Sequence, residues 1–223
     1  MKRVSEKFTG WLFLIFGIAG FFLGLIEVRA GNWGNWLGPQ HNGSTVETNL
    51  AIPEPGLEFA VRWEIPAGSG WSSPLIFDGS VYFHDRVGEK EFVHCLDSLT
   101  GKEKWNRSFI SSYRDDFGMS NGPRSTPAIA ASTIVTHSPQ GMVRALSIVD
   151  GTVIWTRDLK KDFSSPKGFF GRCSSPLIVG GQVIFDVGGP KAGLVSFSLL
   201  SGETNWTSKP YGNDYASPVP FFS

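Results

Sequence analysis

The sequence predicts an all-β fold, a β-propeller of four-stranded antiparallel blades that is incomplete, with about three and a half blades present. Three observations predict it. His94-Cys-Leu-Asp-Ser-Leu-Thr-Gly-Lys-Glu-Lys-Trp105 recurs as Arg144-Ala-Leu-Ser-Ile-Val-Asp-Gly-Thr-Val-Ile-Trp155 and again as Val195-Ser-Phe-Ser-Leu-Leu-Ser-Gly-Glu-Thr-Asn-Trp206, the Trp residues 50 and 51 apart. A second element runs in phase with it: Ser73-Pro-Leu-Ile76, Thr126-Pro-Ala-Ile129 and Ser175-Pro-Leu-Ile178, with Ser217-Pro-Val219 opening a further copy. Finally, no segment after residue 30 carries a helical period over 11 residues. A period of this length belongs to repeat architectures, and four short antiparallel strands repeated radially make a propeller.

The elements follow in chain order. Lys2, Arg3 and Lys7 precede an uninterrupted apolar run, Trp11 to Ile26, and Val28-Arg-Ala30 offers small residues where a signal peptidase reads. Residues 1–30 are therefore expected to be a signal peptide or an N-terminal membrane anchor; the 16-residue run is slightly short for a span of about 20. No Cys precedes Cys95, so no lipid is expected at a processed N-terminal Cys. Residues 31–56 read as an extended N-terminal segment and residues 57–223 as a partial propeller. Its repeats cover about 67–110, 123–160 and 172–210, with the next starting at 216. Val61-Arg-Trp63 reads as the last strand of a preceding unit.

Within a repeat, the Ser-Pro element opens the first strand, with Pro at an edge where a lost N–H is tolerated. Asp78-Gly79 or Gly180-Gly181 makes a tight turn. Val81-Tyr-Phe83 or Val183-Ile-Phe185 forms the second strand. The third places Phe92, His94 and Leu96 on one face and Val93 and Cys95 on the other. A turn at Gly101, Gly151 or Gly202 supplies a positive φ and leads to the Trp-bearing fourth strand. A Trp at one fixed place per blade buries roughly 150–250 Å², so Trp63, Trp105, Trp155 and Trp206 read as packing residues, not ligand contacts. Such a ring needs more blades than these, and the chain is expected to belong to a protein of about 400 residues.

Asp97-x-x-Thr-Gly-Lys-x-x-Trp105 resembles the tryptophan-docking repeat of the pyrroloquinoline-quinone-like β-propeller family, over roughly residues 57–223. In the later copies Ser147 and Ser198 replace its Asp. Trp36-Leu-Gly-Pro39 and Gly122-Pro-Arg-Ser-Thr-Pro127 are similar to elements of its secreted bacterial members. The resemblance implies seven or eight blades in a ring, and relatives that include both an outer-membrane assembly lipoprotein and quinoprotein dehydrogenases. The dehydrogenases would need pyrroloquinoline quinone against a Trp and a vicinal disulfide, a calcium ion on acidic and amide side chains, and a catalytic Asp. No adjacent Cys pair and no calcium-loop spacing is present in this sequence.

Charge narrows the partners. The chain carries 20 basic and 20 acidic residues; with residues 1–30 set aside, 16 basic and 18 acidic remain, a net of −2. There is no basic field for nucleic acid. Cys95 and Cys173 lie too far round a ring to meet the roughly 7 Å that a disulfide allows. His41, His84, His94 and His137 form no zinc pattern, and no nucleophile elbow occurs. No catalytic or metal-ligating residue is therefore assigned.

The candidate binding residues lie where the repeat is interrupted. Ser111 to Gly122 and Lys160 to Gly171 are long loops at the same place in successive blades, and loops of that length are uncommon without a purpose. Arg124 and Arg172 follow them, and Trp71 and Ser72 hold the equivalent place one blade earlier. With Arg114 and Asp115, these residues suit an anionic or carbonyl-bearing ligand through bidentate hydrogen bonds. The alternative is that Arg124 and Arg172 pair with Asp115, Asp116 or Asp162 and staple the loops. The function expected is an exported, periplasmic or cell-envelope binding or scaffold module. Its partner is an envelope protein, a peptide or a small periplasmic ligand, and any membrane contact runs through residues 11–26. The alternatives are a quinone-dependent dehydrogenase and an outer-membrane assembly factor.

Overall fold

The computed structural model describes residues 31–48, 56, 60–212 and 215–221. The leader proposed over residues 1–30, apolar run included, lies outside the described residues. Among the described residues no helix is long and apolar enough to cross a membrane.

Three four-stranded antiparallel sheets follow one another. The first contains β1 (Leu75–Phe77), β2 (Ser80–Val87), β3 (Lys90–Asp97) and β4 (Glu103–Ile110), in that order across the sheet. The second contains β5 (Ala128–Ala130), β6 (Thr133–His137), β7 (Met142–Ser147) and β8 (Val153–Asp158). The third contains β9 (Leu177–Val179), β10 (Gln182–Asp186), β11 (Leu194–Ser198) and β12 (Thr204–Thr207). The first strand of each begins just after the Pro rather than at the Ser, because Pro brings no N–H to the ladder.

Each sheet repeats one irregularity. The register of its last two strands shifts between Cys95 and Leu96, between Ala145 and Leu146, and between Ser196 and Phe197. Such a bulge twists the strand and re-aims the side chains beside it. Immediately before the shift Cys95 faces Trp105, Ala145 faces Trp155 and Ser196 faces Trp206. All three small residues are buried. Cys95 thus occupies a position chosen for size, and burial raises its thiol pKa further from reactivity.

The tryptophans hold the sheets together in series. The indole N–H of Trp63 donates to the Ser98 carbonyl at 3.0 Å, that of Trp105 to Ile148 at 2.9 Å, and that of Trp155 to Leu199 at 2.9 Å. Each acceptor stands at the same turn of the following sheet. The ring then covers that turn's glycine: a Cβ on Gly101, Gly151 or Gly202 would lie 2.6–2.7 Å from ring atoms of Trp63, Trp105 or Trp155. All three glycines have φ near +70°. Trp206 differs. It is 39 % exposed, and its N–H goes to Gln182 of its own sheet.

The core lies in the seams. One cluster joins Leu75, Tyr82, Val93 and Trp105 to Ile129, Ile134 and Leu146 of the next sheet. The other joins Val135, Val143 and Trp155 to Val183, Phe185, Phe197 and Leu199. Into this second seam a short helix, α1 (Leu159–Phe163), inserts Leu159 and Phe163. The sequence showed no helical period there, since one turn is too short to display one. Asp158 caps it by accepting the Lys161 N–H.

Residues 31–48, expected to be extended, turn on themselves between Asn35 and Asn42. Trp33 pairs antiparallel with Ile76 of β1, and the Gly34 carbonyl accepts the Ile129 N–H of β5 at 2.6 Å. The segment therefore ties the free first-strand edges of two sheets together, which protects edges that would otherwise recruit other strands.

The seam geometry makes Gly202 and Gly180 a matched pair. Both have positive φ, but only Gly202 is covered by an indole, and nothing lies within 4 Å of a Cβ on Gly180. Gly202→Ala is expected to cost about 1–3 kcal/mol more than Gly180→Ala, the size of an overpacking penalty. Urea unfolding of the two variants measures the difference; equal losses would show that the ring contact carries no load.

Candidate functional site

The two long loops meet over a buried arginine. Arg124 is 8 % exposed. It donates to the Tyr113 hydroxyl at 2.8 Å, to the Ser120 carbonyl at 3.2 Å and to the Phe170 carbonyl of the neighbouring loop, and it forms an ion pair with Asp115 at 3.2 Å. Its guanidinium sits 4.7 Å from the centroid of the Trp71 ring. Burial works against ionisation of Asp115, but the Met119 N–H and Arg124 outweigh it and hold the carboxyl below the usual range. Trp71, Tyr113, Asp115 and Phe170, from three sheets' connecting segments, are thus gathered around one cation.

Arg172 performs the corresponding task in the second loop with neutral partners. Its Nε donates to Ser165 Oγ at 3.0 Å and a terminal nitrogen to the Pro139 carbonyl at 3.4 Å; the Ser165 carbonyl accepts a further bond. Gly141 lies against this guanidinium, where a Cβ would come within 3.0 Å of Nε. The donors of Arg124 are therefore directed at the two loops, with Asp115 as its carboxylate partner, whereas the bonds of Arg172 to Ser165 and Pro139 use three of its five N–H groups.

Arg114 is exposed, pairs with Glu89 and donates to the Tyr113 carbonyl. Together with Arg172 it lines a cleft of about 540 Å³ between the loops. Ser72 belongs elsewhere: it lines a separate groove of about 340 Å³ with Trp63, Pro74, Phe83 and His84. The six candidate residues are accordingly divided. Trp71, Asp115 and Arg124 form the brace, Arg114 and Arg172 line the cleft, and Ser72 stands apart.

A further buried arginine carries no mark in the sequence. Arg86, 3 % exposed, donates to the carbonyls of Gly88, Ser111, Tyr113 and Asn121 and so holds the first loop at its base. It sits inside an ordinary strand, β2, and no local pattern marks its side chain as a clamp for residues 25–35 positions away.

Above the brace the loops present aromatic surface. Phe117 stacks on Phe169 at 3.9 Å, Phe169 meets Phe170 edge-on at 4.6 Å, and Tyr215 lies 5.8 Å from Phe170. Lys167 joins Asp116 across the loops at 2.6 Å. Phe117, Met119, Phe169 and Trp71 remain half or more exposed.

Beneath the loops the sheet ends are polar. His84 and Glu91 pair at 3.4 Å, both inaccessible, and Ser138 donates to Glu91 at 2.8 Å. His137 is fully buried, with Nδ1 3.0 Å from the Ser174 carbonyl. A carbonyl only accepts, so Nδ1 carries the proton. His94 stacks on Phe83 at 4.4 Å and bridges Asp85 and Glu103.

These residues do not fit a bound quinone and calcium. Cys95 and Cys173 are separate free thiols, and among the described residues no three His, Cys, Asp or Glu side chains gather as a cation site.

Comparison with known proteins follows the repeats. A family model described as outer membrane protein assembly factor BamB matches residues 60–220. The outer membrane protein assembly factor BamB of Moranella endobia (strain PCIT) is 24% identical over 153 residues, 66% of this chain and 36% of that protein. The chain thus spans about a third of the length of that curated relative. Among solved structures, a quinohemoprotein alcohol dehydrogenase from Pseudomonas putida HK5 superposes with a TM-score of 0.47 at 19% identity, covering 65% of this chain and 21% of that one. BamB from Moraxella catarrhalis superposes with a TM-score of 0.42 at 15% identity, covering 63% and 35%.

Two outcomes test the site's physical description. Arg124→Ala leaves the Tyr113 hydroxyl and the Ser120 and Phe170 carbonyls without their donor, and is expected to cost on the order of 3 kcal/mol in urea unfolding; a loss below about 0.5 kcal/mol, typical of surface positions, would show the brace to be idle. The second concerns acid. Burial pushes His137 down to about 4 from 6.5. The unfolded chain then binds the extra proton, so stability is complete above pH 6.5 and falls as pH drops toward 4. His94, raised by Asp85 and Glu103 against its burial, acts in the opposite sense. His137→Leu is expected to flatten the fall in urea midpoint between neutral and mildly acidic pH; an unchanged slope would exclude His137 as its source.

Proposed function

The chain belongs to the outer membrane protein assembly factor BamB family of pyrroloquinoline-quinone-like repeat propellers, and on that premise we propose that it serves as a scaffold module of the bacterial cell envelope. In this reading it docks another protein of the outer-membrane assembly machinery through its loop face. One observation carries the reading: the exposed Phe117–Phe169 stack, with Trp71 and Met119 also exposed on the same connecting segments and Trp71 lying over the buried arginine brace.

The physical case has two parts. Contiguous exposed apolar surface on a folded domain marks interaction sites, and aromatic residues dominate the energetics of protein interfaces. Arg124, Arg86 and Arg172 hold the loops from within, so little ordering is left to be lost when a partner binds. The near-neutral charge of the chain also favours contact by shape and apolar area over long-range attraction. The name of the curated relative supplies the assembly role, and an envelope location goes with it.

Photo-crosslinking from position 119, exposed on the same face, tests this reading in cells. The expected product joins the chain to a component of outer-membrane assembly. Phe117→Ser with Phe169→Ser is expected to weaken capture by about thirtyfold, the equivalent of one interface hot spot, with the unfolding midpoint unchanged. Crosslinks that fail to appear, or that survive in the double variant, would remove the loop face from consideration.

A further inference from the structure

The cleft between the two loops is basic. Arg114, Lys160, Lys167 and Arg172 line it, together with Gln140 and Ser165, and no carboxylate is among its lining residues. This contrasts with a chain whose charges balance overall.

Two of the four cations are answered from outside the cleft. Arg114 pairs with Glu89, and Lys167 with Asp116. All four side chains are substantially exposed, and such pairs contribute little and exchange readily. The other two cations are unanswered: among the described residues Lys160 and Arg172 have no carboxylate within 4.0 Å. Lys160 is exposed on the outer side of α1. Arg172 is 6 % exposed and held only by the neutral oxygens of Ser165 and Pro139. Asp158 acts on it from further away, and that carboxylate already caps α1. A buried guanidinium is seldom left without an anion. Here it is fixed in position at the wall of a cleft of about 540 Å³, within the range of small-ligand sites.

Two unanswered charges suit a dianion better than a monoanion. A phosphomonoester carries about −1.5 to −2 at pH 7 and three acceptor oxygens, and a guanidinium with a nearby ammonium is the usual pairing for it. We propose that the cleft between residues 112–114 and 160–172 binds a phosphomonoester group, with Arg172 and Lys160 as its principal contacts and Arg114 and Lys167 turning inward to complete them. The group has two sources, a soluble phosphate ester or the headgroup of a lipid, and the chemistry at the cleft is the same for both. The site is independent of the aromatic docking surface, so either proposal can fail alone.

The full chain is titrated calorimetrically with glycerol 3-phosphate at constant ionic strength. In parallel it is floated with phosphatidylcholine vesicles with and without phosphatidic acid. Saturable binding of glycerol 3-phosphate identifies a soluble ester as sufficient; binding only to the phosphatidic acid vesicles assigns the headgroup as the source. In either case Lys160→Glu is expected to weaken binding about tenfold or more, the effect of one charge-assisted hydrogen bond. Lys161→Glu, one residue along the same helix and outside the lining, is expected to stay within about twofold, as surface charges do. Both lysines are exposed, and unchanged unfolding midpoints establish that the fold is intact; Lys160→Met replaces Lys160→Glu should the latter misfold. Absence of binding in both arms, or equal losses in the two variants, would overturn the proposal.

Discussion

The contact on which the rest depends is an indole laid across a seam. Trp63, Trp105 and Trp155 each cover a positive-φ glycine of the sheet that follows and donate the indole N–H to a carbonyl of the same turn. Neither half works alone. Without the glycine the ring has no space, and without the carbonyl a buried N–H lacks its partner. The bulge in the third strand and the small residue opposite the Trp are consequences, since both set the height and angle at which the ring leaves its own sheet. A single four-stranded sheet has no core of its own, so hydrophobic burial exists only between sheets, in the two clusters that flank the indoles.

Above this apolar level the molecule changes its chemistry. The fifth residues of β2, β6 and β10 are His84, His137 and Asp186, and each is buried. Buried polar groups favour a single arrangement when their partners are met, and here they bring partners from different sheets together: Ser138 reaches Glu91 and His137 reaches Ser174. The arginines extend the same logic outward. Arg86, Arg124 and Arg172 bond mainly to backbone carbonyls, so they specify where a loop runs and tolerate a range of side chains along it. The loop tips are then free to carry Phe117 and Phe169 into solvent.

Much of the fold was legible because the repeat encodes local geometry. A glycine at a fixed offset from a Trp reports a turn and a seam at once, and the replacement of Asp97 by Ser147 and Ser198 left that signal intact. The reason is visible in the turns: the hydroxyls of Ser147 and Ser198 accept N–H groups of Val149 and Ser201, much as Asp97 accepts those of Leu99 and Thr100. The site was legible only in outline. Its loops stood out as interruptions of the period, and Arg124 and Arg172 stood out by position, but the division of the candidates into a brace, a cleft and the detached Ser72 depends on contacts between residues far apart in sequence. Arg86 was invisible for the same reason. It lies in a regular strand, and nothing in the residues beside it marks it off from an ordinary strand position.

The docking of one sheet's Trp on the next sheet's turn has a direction. The key is always at the end of a repeat and the lock always near the middle of the one that follows, so the joint is head-to-tail and never self-complementary. The joint itself is therefore the same between any two repeats that carry both parts, and closure of a ring, not the joint, fixes how many repeats are joined. Whole repeats are thus equivalent units, each meeting the one that follows through the same kind of contact. Innovation is then confined to the connecting loops, which no joint inspects.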